Sequence, residues 1–225
     1  MSPEASPEDV RAERLRGFGP LGLLAIVLIL TGNLLFVPLS AILVLLWARA
    51  SRTPWRDIGF VRPRSWIASL ALGVVLGSAF KLVMKAIVMP LLGAPAINPA
   101  YHYLAGNGAA LPGAIFSMTV VAGFGEETVF RGYMFERLGK VFGSGRGAKA
   151  AIVLLTAALF GMAHYHDQGL PGVEQATITG LVFGRIFAMT GRLWGLIFAH
   201  AAFDLTALAI IYWDAEPAVA HFVFR

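Results

Sequence analysis

The chain has 225 residues, of which 57% are hydrophobic and 14% charged, with a mean hydropathy of +0.71. An ordinary soluble domain carries about 25% charged residues, so the composition excludes a soluble enzyme, and the apolar runs are too long for barrel strands, which alternate over about 10 residues. The net charge of +5 lies at the edges of those runs, where lipid rather than nucleic acid explains it, and the absence of cysteine excludes disulfides, Cys-ligated zinc and a cysteine nucleophile.

The expected fold is an all-α, polytopic membrane helix bundle: a polar segment over 1–17, then one transmembrane domain over 18–225. Ser6-Pro7-Glu8-Asp9 has the form of a helix start, with Ser as N-cap, Pro at the first helical position and acids in the first turn. Four acids precede the first apolar stretch, which is also too long for a cleavable signal. Residues 18–48 are apolar for 31 residues, whereas a span needs about 20. They form one tilted helix or two short ones turning at Thr31-Gly32-Asn33, and the arginines on both flanks favour the hairpin.

Residues 66–92 form the next span. Its Lys81 and Lys85, four apart on one face, either snorkel to an interface or face the bundle interior. Residues 93–111 have no Lys or Arg and read as an outer loop. A long helix over 112–139 follows, then an inner loop marked by Arg137, Lys140, Arg146 and Lys149. Residues 149–165 run outward, His166-Asp167-Gln168-Gly169 turns, 172–190 return to Arg192, and 193–213 run out again. Nearly every loop Lys and Arg thus falls on one side, Arg225 being an exception, and the expectation is six or seven transmembrane helices.

Three places in these apolar helices carry ionisable groups: Glu126-Glu127-Thr-Val-Phe-Arg131, Phe160-Gly-Met-Ala-His164 and His200-Ala-Ala-Phe-Asp204. Intramembrane charge is costly unless paired or facing a wet cavity, which makes each a candidate site. Glu127 and Arg131, at i and i+4, can pair and serve packing. Glu126 then points about 100° away and is free for chemistry. Gly123 and Gly125 allow close helix approach or a local break. His200 and Asp204 share one face, so the acid can orient the imidazole, or both can bind one metal or one water. His102 and His166 read as packed or interfacial. Together the motifs suggest a water held by Glu126, His164 and His200, with Glu126 as general base and a histidine or Asp204 polarising a carbonyl. The same four groups, Glu126, His164, His200 and Asp204, can instead ligate zinc with an open water position. Neither His-Glu-x-x-His nor Gly-x-Ser-x-Gly occurs, which disfavours the soluble metalloprotease and serine-nucleophile patterns.

In this order, these motifs resemble the CPBP family, which contains the type II CAAX prenyl endopeptidases and bacterial proteins of bacteriocin processing and self-immunity. The family pattern is Glu-Glu-x-x-x-Arg, Phe-x-x-x-His and His-x-x-x-Asn or Asp. Gly132 after Arg131 fits its common Arg-Gly, and Arg56-Asp57-Ile58-Gly59-Phe60 looks like its short box before a membrane helix. The motif-bearing resemblance covers about 110–210, and more weakly 56–110. It implies an intramembrane endopeptidase, metal- or glutamate-dependent, with Glu126, His164, His200 and Asp204 as the catalytic set and Glu127, Arg131 and Phe160 in support. It further implies a peptide or protein substrate, prenylated in the eukaryotic members, and a place in a bacterial inner membrane. Asp204 stands where prenyl endopeptidases have Asn, so prenyl specificity does not transfer directly.

The leading function is therefore hydrolysis of a lipidated or membrane-embedded peptide, at a site expected to open toward the cytoplasmic half. A non-proteolytic immunity or assembly protein binding a peptide in the same cavity is a second class. A proton-coupled transporter using Lys81 and the same acids and imidazoles is a third; the lack of two similar halves disfavours it.

Overall fold

A computed structural model describes residues 6–36 and 38–224, so Arg225 and the first five residues of the polar segment lie outside the described residues. Helix α1 (Pro7–Arg16) starts as its sequence implies: Ser6 Oγ accepts from the Asp9 amide at 3.2 Å. Helices α2 (Pro20–Thr31) and α3 (Leu39–Ala50) divide the long apolar stretch into a hairpin. Its turn is clamped reciprocally. The Asn33 amide donates to Ser40 Oγ at 3.0 Å, and the Ser40 amide donates to Asn33 Oδ1 at 2.8 Å. Arg52, just past α3, pairs with Glu8 at 2.7 Å and with Asp9, which ties α1 to this end of the bundle.

Helix α4 (Trp66–Leu91) is capped by Ser65 and contains a π-helical turn at Met84–Val88. Helix α5 (Gly108–Phe142) carries the two glutamates within two π-helical stretches, Ser117–Glu126 and Thr128–Tyr133. Such widened turns shift side-chain register and are common at functional sites. Helix α6 (Arg146–Ala163) ends at His164. Helix α7 (Tyr165–Thr190) is broken at Gly169 (φ 62°, ψ −158°), a conformation that glycine adopts without steric penalty. Helix α8 (Trp194–Tyr212) carries His200 and Asp204, and α9 (Glu216–Ala220) follows.

The described residues form an all-helical membrane bundle, in which the expected count of six or seven spans is not confirmed. Helices α4, α5, α6 and α8 are long and apolar enough to cross a membrane, and α1 with α2, bent by 56°, makes a fifth if counted together. Two helices leave the count open. Helix α3 has 12 residues where about 20 are needed. Helix α7 is long enough but is broken at Gly169 and carries Asp167, Glu174 and Arg185.

Small residues set the packing. Helices α4 and α8 touch backbone to backbone: a Cβ on Gly77 would lie 2.0 Å from the Ala199 carbonyl oxygen. A Cβ on Gly123 would lie 3.1 Å from the Ala201 amide nitrogen, so α5 approaches α8 one turn before its glutamates. Gly125 meets only ordinary contacts. The box at 56–60 is a short 3-10 turn ended by Gly59 (φ 84°), whose carbonyl accepts from the Leu193 amide at 2.9 Å. A Cβ on Gly132 would come within 2.9 Å of the Ile58 oxygen, so the Arg-Gly pair is a steric requirement. The connections 51–65, 143–145 and 191–193 share one end of the bundle, where Arg52, Arg56, Arg62, Arg64, Arg146 and Arg192 lie in or beside them. The connections 92–107, 164–169 and 213–215 share the other, joined by the Gly106 amide donating to the Tyr212 carbonyl at 3.0 Å.

Candidate active site

Glu127 is fully buried and holds two cationic or donor groups at once. Its Oε1 accepts from Arg131 Nη1 at 2.7 Å and from His200 Nδ1 at 2.8 Å. The Arg131 guanidinium in turn lies 4.6 Å from the centre of the Phe160 ring. That ring meets His164 edge-on at 4.7 Å and His200 at 6.0 Å. The expected Glu127–Arg131 pair is present, but Glu127 also does what the spacing assigned to Asp204: it orients the imidazole. A carboxylate only accepts, so His200 Nδ1 is the protonated donor and Nε2 is left to face outward.

His200 Nε2 lies 3.6 Å from Asp204 Oδ2 and 3.8 Å from Glu126 Oε2. These separations are too long for direct hydrogen bonds. Glu126 Oε2 is buried without a hydrogen-bond partner, although the side chain as a whole is 25% exposed. A buried carboxylate oxygen with no donor is costly unless something polar enters the space beside it. His164 Nδ1 is 2.8 Å from the Phe160 carbonyl oxygen. A carbonyl cannot donate, so Nδ1 carries the proton and Nε2 is the free nitrogen of a side chain that lines the same space.

That space is a cavity of about 310 Å³, into which Glu126, Phe160, His164, His200 and Asp204 all project. It lies in the half of the bundle away from the Arg-rich loops, and exposed Pro95 and Pro99 form part of its wall. The cavity therefore lies toward the end of the bundle that holds the connection 92–107. Beyond Glu126, α5 is sealed by packing: Arg131, Tyr133, Met134 and Arg137 are buried, and Arg137 donates to the Arg16 and Gly17 carbonyls at 2.8 and 2.9 Å. The midway position of Glu126 does not reveal which half is filled. His166 is exposed against Asp167, and His102 sits 3.4 Å from Glu216, apart from the Glu126, His164, His200 and Asp204 group.

Among the described residues, no three His, Asp or Glu side chains converge as a metal shell requires. Glu126, His164, His200 and Asp204 line one cavity, and Nδ1 of each histidine is engaged, which orients the ring and leaves Nε2 free. As arranged, no three of these side chains converge closely enough to hold zinc.

Residues 108–206 match the family model for Type II CAAX prenyl endopeptidase Rce1-like proteins. The match covers 99 of the 225 residues and supports the CPBP family. The chain matches none of the curated proteins and none of the solved structures with which it was compared. The matched residues span α5 to most of α8 and contain all three motifs. The match supports an integral membrane protein with activity of the CAAX-protease type on peptide substrate. The cavity's lining extends beyond the matched residues, because Lys81, Lys85 and Met89 of α4, Tyr101 of the loop 92–107 and Glu216 of α9 also line it. Burial pushes the Tyr101 phenol up to about 12, with the Asp204 and Glu126 charges acting in the same direction, so it remains a protonated donor. Only Lys81 and Lys85 among these had a signal in the sequence, as charges in an apolar run.

Proposed function

We propose that the chain is an intramembrane endopeptidase in which Glu126 activates a water that cleaves a lipidated or membrane-embedded peptide. The observation that carries this is the unpartnered Glu126 Oε2, 3.8 Å from His200 Nε2 in a cavity roomy enough for a peptide segment. Glu126 takes a proton from the water, whose oxygen attacks the scissile carbonyl carbon. The resulting oxyanion accepts a hydrogen bond from a protonated Nε2 of His164 or His200. As the C–N bond breaks, the leaving nitrogen takes the proton back from Glu126. General-base catalysis of this kind contributes about 10²–10⁴-fold, and each donor to the oxyanion about 10²–10³-fold. Asp204, beside His200 Nε2, holds that imidazole in its donating state, and Glu127, Arg131 and Phe160 fix its position. Metal is not required in this scheme.

The Arg-rich end of the bundle belongs in the cytoplasm by the positive-inside rule, as in a bacterial inner membrane. The cavity then receives its substrate from the opposite, outer side. Single cysteines placed in this cysteine-free chain test the orientation: Pro99→Cys should react with an impermeant maleimide in intact cells, and Ser144→Cys only after lysis. The reverse pattern would invert the assignment. The function itself is tested with quenched peptides, prenylated and plain, offered to purified protein in lipid nanodiscs beside Glu126→Gln. Product that vanishes in the variant supports the reading; product of equal amount from both would sink it.

A further inference from the structure

Lys81 is an ammonium group placed deep in the same cavity. It is 7% exposed, and its polar contact among the described residues is Gln175 Oε1 at 2.9 Å. No carboxylate lies within ion-pair distance of it among those residues, and its Nζ sits 4.8 Å from the centre of the Phe203 ring. Lys85, one turn further on, is in the opposite condition. Its Nζ is paired with buried Glu216 at 2.9 Å and donates to the Ala96 carbonyl at 2.6 Å. Lys85 is thus satisfied by the protein, whereas Lys81 is held by one neutral amide and faces the cavity. A buried ammonium is costly without an anionic partner. Lys81 can only donate, so the Gln175 atom it meets is the oxygen. That leaves the Gln175 amide nitrogen as a further donor on a side chain that also lines the cavity.

The position along the cavity is set by packing. Gly77 presses α4 against Ala199 and Phe203 of α8, and Lys81, one turn later on α4, reaches the Phe203 ring. Phe203 follows His200 by three residues, an axial rise of about 4.5 Å. The cation therefore sits about one turn beyond the imidazole, on the side of the outer loop.

We infer that Lys81, with Gln175, is the seat for a carboxylate of the substrate, close to the bond that is cut. This rests on the endopeptidase reading for its catalytic half, but carboxylate binding by Lys81 stands on its own geometry. The anion is the C-terminal carboxylate of a short leaving peptide or the side chain of an acidic residue in it. An extended chain spans at most about 3.3–3.6 Å per residue, so the carboxylate belongs to a residue within a few positions of the scissile bond.

The test uses three quenched heptapeptides that differ only at their end: free acid, carboxamide, and carboxamide with a terminal Asp. Wild-type protein, Lys81→Met and Lys81→Arg are assayed in nanodiscs, with thermal unfolding confirming that each variant is folded. The wild type should prefer a carboxylate-bearing peptide over the plain carboxamide by at least roughly tenfold in kcat/KM, mostly through KM, as expected for a charge-assisted hydrogen bond. Lys81→Met should collapse that ratio toward one, and Lys81→Arg should restore part of it. Preference for the free acid alone identifies the C-terminus, and preference for both acids identifies any nearby carboxylate. Binding of the same peptides to Glu126→Gln protein, with and without Lys81→Met, reads the seat without catalysis. Lys81-dependent binding with no cleavage by wild type would overturn the protease reading and leave the seat standing. Equal acid and amide binding, unaffected by Lys81→Met, would overturn the seat.

Discussion

Glu126 and Glu127 are neighbours on one helix and live in two different regions. Glu127 belongs to the sealed half, where it is fully buried between Arg131 and His200 and its contacts are strong and short. Glu126 belongs to the open half, where one of its oxygens has no partner and the wall beside it is a cavity. The sealed half fixes the His200 ring from behind, and the open half leaves its far nitrogen free to act. The same separation divides the lysines: Lys85 is neutralised by Glu216, and Lys81 is not. Rigid charge pairing and reactive charge are thus set side by side, one residue or one turn apart, because each helix presents different faces to a filled and an unfilled space.

The sharpest way to break the comparison is to remove each glutamate. Glu126→Gln should lower the cleavage rate by about 10²–10⁴-fold, measured as single-turnover peptide cleavage, while the unfolding midpoint stays near that of the wild type. Glu127→Ala should act mainly on the fold. It leaves the Arg131 charge buried without its carboxylate, which costs about 3–5 kcal/mol, read as loss of stability in denaturant titration. If the two variants exchanged phenotypes, the assignment of working and supporting acid would be reversed. The smallest effect expected is that of chelation. Exhaustive treatment with a zinc chelator should leave the cleavage rate unchanged, because no three ligating side chains converge among the described residues. Loss of activity that returns only with added zinc would show that the four cavity groups rearrange into a metal shell.

Much of this was legible in the sequence. The membrane bundle follows from apolar runs interrupted by arginine, and the motif residues Glu126, His164, His200 and Asp204 line one cavity as their pattern implied. The i, i+4 pairing of Glu127 with Arg131 was readable because it lies within one helical turn. Other features had no local signal. Glu127 rather than Asp204 holds His200 by Nδ1, across 73 positions of sequence. The expected count of six or seven spans is not confirmed, because α3 is short and α7 is broken and more polar. The half in which the cavity lies also had no local signal, because position along a helix carries no information about which neighbours fill the space around it.

Composition and periodicity by themselves determined that this chain is helical and membrane-embedded, and which few polar groups its apolar helices carry. Those are properties of each segment's own transfer free energy and can be summed along the chain. Which of those groups is satisfied and which is left free was decided only by tertiary structure. It depends on backbone contacts such as Gly77 with Ala199 and Gly123 with Ala201, which bring distant helices close enough to pair some charges and leave a cavity beside the others.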